Sequence, residues 1–191
     1  MKKLVFLHGS GADKNAYNDL MQMIAKHFDA ELISFNAPFL RENKPNRYAW
    51  FNKFENSGRR DAILSEYNHS LEFIKQQLNA LKTSPENIIL IGHSQGGGMA
   101  IHIGLEIELA LVISINGDLP YNISYNNHSA TPLYWFAGKK DTYIDDKRKN
   151  SYTLINNCKN LHYISLPNST HNDFVDNLLQ ALKEIDITPL S

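Results

Sequence analysis

The sequence predicts one α/β domain, an open, mostly parallel sheet of about six strands with helices on both faces. Three observations carry the prediction. Short apolar runs without alternation, such as residues 4–7, 88–91 and 109–115, are the pattern of strands buried on both sides. They alternate with stretches of helical period at 13–28, 61–81 and 172–185, the order that produces right-handed crossovers and a parallel sheet. Residues able to do chemistry follow several of the strands directly, and such crossovers bring all those strand ends to one edge, where open α/β sheets bind ligands.

In chain order, residues 3–7 form the first strand and end at His8-Gly9-Ser10-Gly11. Residues 13–28 place Tyr17, Leu20, Met21, Ile24 and Phe28 at helical spacing. A second strand, 31–35, closes at Asn36-Ala37-Pro38. Residues 39–60 break every period and mix aromatic with basic side chains. They are too long for a plain connection and are expected to form a lid-like loop insertion in a single domain spanning 1–191. Helix 61–81 follows, with Tyr67, Leu71, Ile74 and Leu78 on its apolar face, and Ser84-Pro85 breaks it. Strand 88–91 leads into helix 95–106. Beyond it lie strand 109–115, an irregular stretch 116–131, strand 132–137, helix 145–157, strand 161–166 and helix 172–185.

Composition narrows the classes. A length of 191 residues suits one domain with a real core. Nineteen basic against twenty acidic residues leave no charge excess, which argues against nucleic acid or an anionic membrane as the main partner. The one cysteine, Cys158, precludes an intramolecular disulfide and suits a reducing compartment, so a cytoplasmic location is expected. Its polar neighbours argue against a thiol nucleophile. The apolar run 4–7 is too short for a leader's core, and nothing is long enough for stable membrane insertion. No histidine pair has metal-ligand spacing, and Gly96-Gly97-Gly98 lacks the lysine of a phosphate loop. No metal and no cofactor are expected, and the chain is expected to be a monomer or homodimer.

The motif that organises the chain is Gly92-His93-Ser94-Gln95-Gly96, a G-x-S-x-G string between a strand-like run and a helix-compatible stretch. In a strand–turn–helix of this kind the serine sits at the apex in a strained conformation, its hydroxyl lifted off the sheet. The helix then points its positive end at the serine. A hydroxyl needs a base beside it and a carboxylate to orient the base, in the chain order serine, acid, histidine. Of the later histidines, His102 falls within a helix, His162 within a strand and His128 in a polar loop. Only His171 follows the last strand, and it is the candidate base. Asp141, just after a strand and Gly138, is the candidate acid; Asp118, after Asn116-Gly117, is the rival. Two backbone amides are needed to stabilise an oxyanion: Gln95 supplies one, and Ser10 (or else Gly9) the other. His8 is read as structural, bracing the turn.

On these residues the chain resembles the α/β-hydrolase superfamily, most closely the carboxylesterase/phospholipase branch that includes acyl-protein thioesterases. The resemblance rests on Leu7-His8-Gly9-Ser10-Gly11, Trp50-Phe51, Gly92-His93-Ser94-Gln95-Gly96-Gly97, Gly138-x-x-Asp141 and His171, and covers nearly the whole chain. It implies hydrolysis of a small-molecule carboxylic ester or thioester through an acyl-enzyme on Ser94. Two residues depart from the branch: His93 stands where a bulky apolar residue is frequent, and the proline common after the acid motif is missing from Asp141-Thr142-Tyr143-Ile144. Phe39, Tyr48, Trp50, Phe51 and Leu119 are expected to line the substrate pocket. Arg41, Lys44, Arg47 and Lys53 are read as a solvated rim, with attraction of an anionic headgroup or carboxylate as the other reading. A thioesterase or lysophospholipase would use the same residues. A hydrolase-like binding protein without catalysis is the rival of another class.

Overall fold

The structure, a computed structural model, describes residues 1–41, 44–142, 158 and 160–184. In chain order the first elements are β1 (Lys2–Leu7), α1 (Asn18–His27) and β2 (Ala30–Ser34). Two small antiparallel ribbons follow: β3 (Phe39–Leu40) pairs with β4 (Tyr48–Ala49), and β5 (Lys53–Asn56) with β6 (Arg59–Ala62). Then come α2 (Leu64–Ala80), β7 (Ile88–His93), α3 (Gln95–Glu106), β8 (Leu111–Ile115), β9 (Leu133–Gly138), β10 (Leu161–Leu166) and α4 (Val175–Glu184). The expected helix 145–157 lies outside the described residues.

Six strands form one sheet in the order β10-β9-β8-β7-β1-β2, with every neighbouring pair parallel. Alternate residues of each strand serve opposite faces. Val5, Leu7, Leu90, Val112 and Trp135 pack with Tyr67, Leu71 and Ile74 of α2 and with Met99 and Ile103 of α3. Leu4, Phe6, Ile89, Ile91, Ile113 and Phe136 pack with Leu20, Met21 and Ile24 of α1 and Leu178 and Leu182 of α4. Both faces are covered, which explains why these strands read as unbroken apolar runs. Each fully buried Leu, Ile or Phe among them contributes about 1.5–3 kcal/mol.

Two helices start later than their apolar spacing predicts. At α1 the Asp13 carboxylate accepts from Asn15 N–H (2.8 Å), and this side-chain turn competes with helix until Asn18. At α2 the preceding residues are taken by the ribbon of β5 and β6, closed by Ser57 (φ 50°) and Gly58 (φ 76°). Two successive positive φ values are those of a tight hairpin turn. Residues 39–60 are therefore not without regular structure: their described part folds into the two ribbons, which lie between β2 and α2 in the chain.

From β1 the chain moves outward to β2, then returns on the other side of β1 as β7. The order reverses there, and the crevice between the C-terminal ends of β1 and β7 is the natural binding place of an open α/β sheet. Ser10 follows β1, and Ser94 follows β7.

Candidate active site

Ser94 links β7 to α3 with φ 54° and ψ −119°, a region an L-residue occupies at a cost of about 1–3 kcal/mol. The turn is tight because two backbones nearly touch. A Cβ on Gly92 would stand 2.1 Å from the carbonyl oxygen of Gly96, and one on Gly96 would stand 2.2 Å from that of Leu7. Glycine at both positions is a steric requirement. The Ser94 amide donates to Ile115 O (2.9 Å), tying the apex to the end of β8.

His171, carried by the loop between β10 and α4, brings its Nε2 to 3.0 Å from Ser94 Oγ. Its Nδ1 lies 2.8 Å from Asp141 Oδ2, and the Asp141 side chain is fully buried beyond the end of β9. A carboxylate can only accept, so Nδ1 carries the proton and Nε2 of the neutral ring is left to accept from the serine hydroxyl.

Two further residues, neither assigned a role by the sequence pattern, fix the imidazole loop. Asn116, at the end of β8 with φ 49°, donates its side-chain amide to the carbonyls of Thr170 (3.1 Å) and His171 (2.9 Å). Its side-chain oxygen accepts from Gly138 N–H (2.7 Å), joining the ends of β8 and β9 to the loop. The sequence signal for it is the turn dipeptide Asn116-Gly117 directly after a strand, since asparagine tolerates the left-handed conformation. His93 donates from Nε2 to His171 O (2.9 Å) and stacks on Phe174, with Tyr17 edge-on. Burial pushes the His93 imidazole down to about 4, against a smaller upward pull from its bond to His171 O, so the ring is neutral where proteins ordinarily work.

Ser10 and Gln95 line one cavity together with Ser94. The amide of Gln95 is the first of α3, where a helix leaves its N–H groups without intrahelical partners. The Gln95 side chain accepts from Trp50 N–H (3.0 Å) and donates to Phe51 O (2.6 Å), fastening the segment between the ribbons to the elbow. The Ser10 loop is held by the first ribbon, through Gly11 N–H to Tyr48 O (2.7 Å) and Tyr48 N–H to Ala12 O (3.0 Å). His8 is fully buried: Nδ1 donates to Gly9 O and Nε2 accepts from Ala37 N–H, a brace across two loops. Burial lowers its pKa as well.

Two cavities open beside Ser94. One, of about 380 Å³, is lined by Tyr17, His93, His171 and Asn172 together with residues 9–12. The other, of about 170 Å³, is lined by Phe51, Asn52, Lys53, Gln95 and Asp118, and both share Ser10, Arg41 and Ser94. Of the five residues expected to line a pocket, Phe51 does so here. Trp50 does not: it is buried in the core with its indole N–H donated to His8 O (2.8 Å), and Leu119 is likewise a core residue. The Tyr48 ring packs against the core edge-on to His8, and Phe39 packs against His69. Lys53 also departs from the rim reading, since it is largely buried and ion-paired with Asp118, the rival acid. Asp118 thus meets a lysine, while Asp141 meets the imidazole.

Among the described residues no helix is long and apolar enough to cross a membrane, and no group of three or more His, Cys, Asp or Glu side chains is placed to hold a metal ion.

A parallel sheet whose strained serine lies under an imidazole at the topological switch defines a protein of the α/β-hydrolase class. The chain belongs to the phospholipase/carboxylesterase family, whose model matches residues 1–188, and is a carboxylesterase-type hydrolase. Solved structures share its fold. Esterase PE8 is 24% identical with a TM-score of 0.74, over 96% of this chain and 92% of that one. SOBER1 of Arabidopsis thaliana is 20% identical with a TM-score of 0.71, over 96% and 98%. The Bacillus cereus carboxylesterase is 17% identical with a TM-score of 0.74, over 96% and 88%. No curated protein sequence matches the chain.

Proposed function

We propose that the chain hydrolyses small carboxylic esters through an acyl-enzyme on Ser94. His171 Nε2 takes the hydroxyl proton as Ser94 Oγ adds to the ester carbonyl. The oxyanion that forms is held by the backbone amides of Ser10 and Gln95 at the positive end of α3. The imidazolium, kept in orientation by Asp141, returns the proton to the departing alkoxide. A water then adds to the acyl carbon with His171 again as base, releasing the acid and restoring Ser94. The leaving group is chemically neutral to this scheme, so a thioester would follow the same course.

The observation that supports the reading is the pair of contacts at His171, 3.0 Å to Ser94 Oγ and 2.8 Å to Asp141 Oδ2, at an elbow whose glycines admit no side chain. The test is labelling with a fluorophosphonate probe alongside turnover of p-nitrophenyl acetate. Wild type is expected to label and turn over. Ser94→Ala is expected to lose labelling and at least about 10⁴-fold in kcat with an unchanged circular dichroism spectrum. Labelling that survives in Ser94→Ala would place the nucleophile elsewhere.

A further inference from the structure

The two cavities beside Ser94 differ in kind, and, resting on the acyl-enzyme reading above, their positions decide which end of the ester each receives. The proton on His171 goes to the leaving oxygen, so the alcohol departs on the His171 side, through the cavity lined by Tyr17, His93 and Asn172. The acyl group then occupies the other cavity, an arm bounded by Phe51, Asn52, Lys53 and Asp118 and not lined by His171.

That arm is built for something other than an alkyl chain. Phe51 is its one aromatic. Its wall holds an ion pair in which Lys53 is 16% and Asp118 3% exposed, and Asp118 Oδ1 is buried with no hydrogen-bond partner among the described residues. Methylene groups laid against such a wall would cover what remains exposed of the Lys53 ammonium and offer neither charge a polar partner. Arg41 sits at the junction of the two cavities and is in no ion pair among the described residues. Two cations against one carboxylate leave the arm a net positive charge. Its 170 Å³ has room for about five or six water-sized groups.

We infer that the acyl group is short and ends in a carboxylate bound by Lys53 and Arg41, so that the substrates are monoesters of small dicarboxylic acids. Asp118 holds the Lys53 ammonium against the wall, and Arg41 supplies the planar donor pair suited to a carboxylate. The balance of the reaction is that of any ester hydrolysis. The bond from the acyl carbon to Ser94 Oγ forms, the bond to the alkoxy oxygen breaks, and the serine proton leaves on the alcohol. Water then releases the dicarboxylate.

The test compares kcat/KM for ethyl hydrogen succinate with that for ethyl 4-methylpentanoate, whose isopropyl group replaces the carboxylate at equal size. Wild type is expected to favour the charged ester at least tenfold. Arg41→Gln, an exposed position, and Lys53→Met are each expected to reduce that ratio by tenfold or more, with Lys53→Arg retaining most of it. A wild-type ratio of one or less overturns the inference, as do variants that lower both esters by the same factor. If p-nitrophenyl acetate is turned over and the ratio is still one, the inference alone fails. If neither acetate turnover nor fluorophosphonate labelling of Ser94 is seen, the hydrolase mechanism and the inference fall together.

Discussion

Asp118 and Asp141 follow neighbouring strands of the same sheet, and both are almost entirely buried, yet they are matched with different partners. The partner of Asp141 is His171, delivered by the loop between β10 and α4. The partner of Asp118 is Lys53, delivered from the other side by the ribbon inserted between β2 and α2. At the edge of a parallel sheet, then, a carboxylate's role depends less on the strand that carries it than on which loop reaches over it. An imidazole that can gain and lose a proton makes the pair part of the chemistry. An ammonium fixed against the carboxylate makes the pair part of the wall.

The comparison can be broken most severely at Asp141. Asp141→Asn is expected to lower kcat by about 10³–10⁴-fold, since an amide leaves the imidazole in the wrong tautomer. Asp118→Asn is expected to act mainly on KM and on the acyl preference, with a kcat loss of about tenfold or less. Steady-state kinetics of both variants on one ester checks the ranking, and the reverse order would transfer the orienting role to Asp118. Next in size is Asn116→Ala, which releases two carbonyls of the imidazole loop and the Gly138 amide. A loss of about 1–3 kcal/mol in stability is expected, measurable by urea unfolding, together with a fall in kcat.

His93 sharpens the same contrast through pH. Its pKa is pushed from 6.5 to about 4 in the folded protein, so between those values the unfolded chain takes up a proton that the native ring refuses. Stability therefore falls as pH drops through that window, by up to about 3 kcal/mol from this ring. His93→Gln removes the titrating group and is expected to flatten the decline between pH 6.5 and 4 in urea titrations. A variant with the wild-type slope would show that the acid sensitivity comes from other rings, His8 and His102 among them, whose values burial also lowers.

Much of this was readable along the chain. The strands declared themselves because burial on both faces leaves apolar runs such as residues 88–91, and the elbow because close approach of Gly92 and Gly96 to backbone tolerates nothing larger. The order of residues after strands singled out His171 to stand beside Ser94, but it left Asp118 a rival to Asp141, and only the contacts at each carboxylate distinguish them. What stayed hidden depended on contacts distant in sequence. The ribbon of β5 and β6 had a local mark in Ser57-Gly58, but no helical or strand period announced it. Trp50 was read as an aromatic in a loop near the site, whereas its place is decided by a carbonyl forty-two residues away, at His8. Lys53 looked solvated because nothing local reveals that Asp118 awaits it sixty-five residues on.

At Gln95 two properties of the molecule are joined. The Gln95 main chain begins α3 directly after Ser94, while its amide side chain grips both Trp50 and Phe51, two residues before the lysine that charges the smaller cavity. Exchanging the ribbons for others of different length would slacken that grip and disturb the elbow as well. New tastes in this scaffold should therefore come by replacing side chains at positions 41 and 53, since grafting whole loops would sacrifice speed to selectivity.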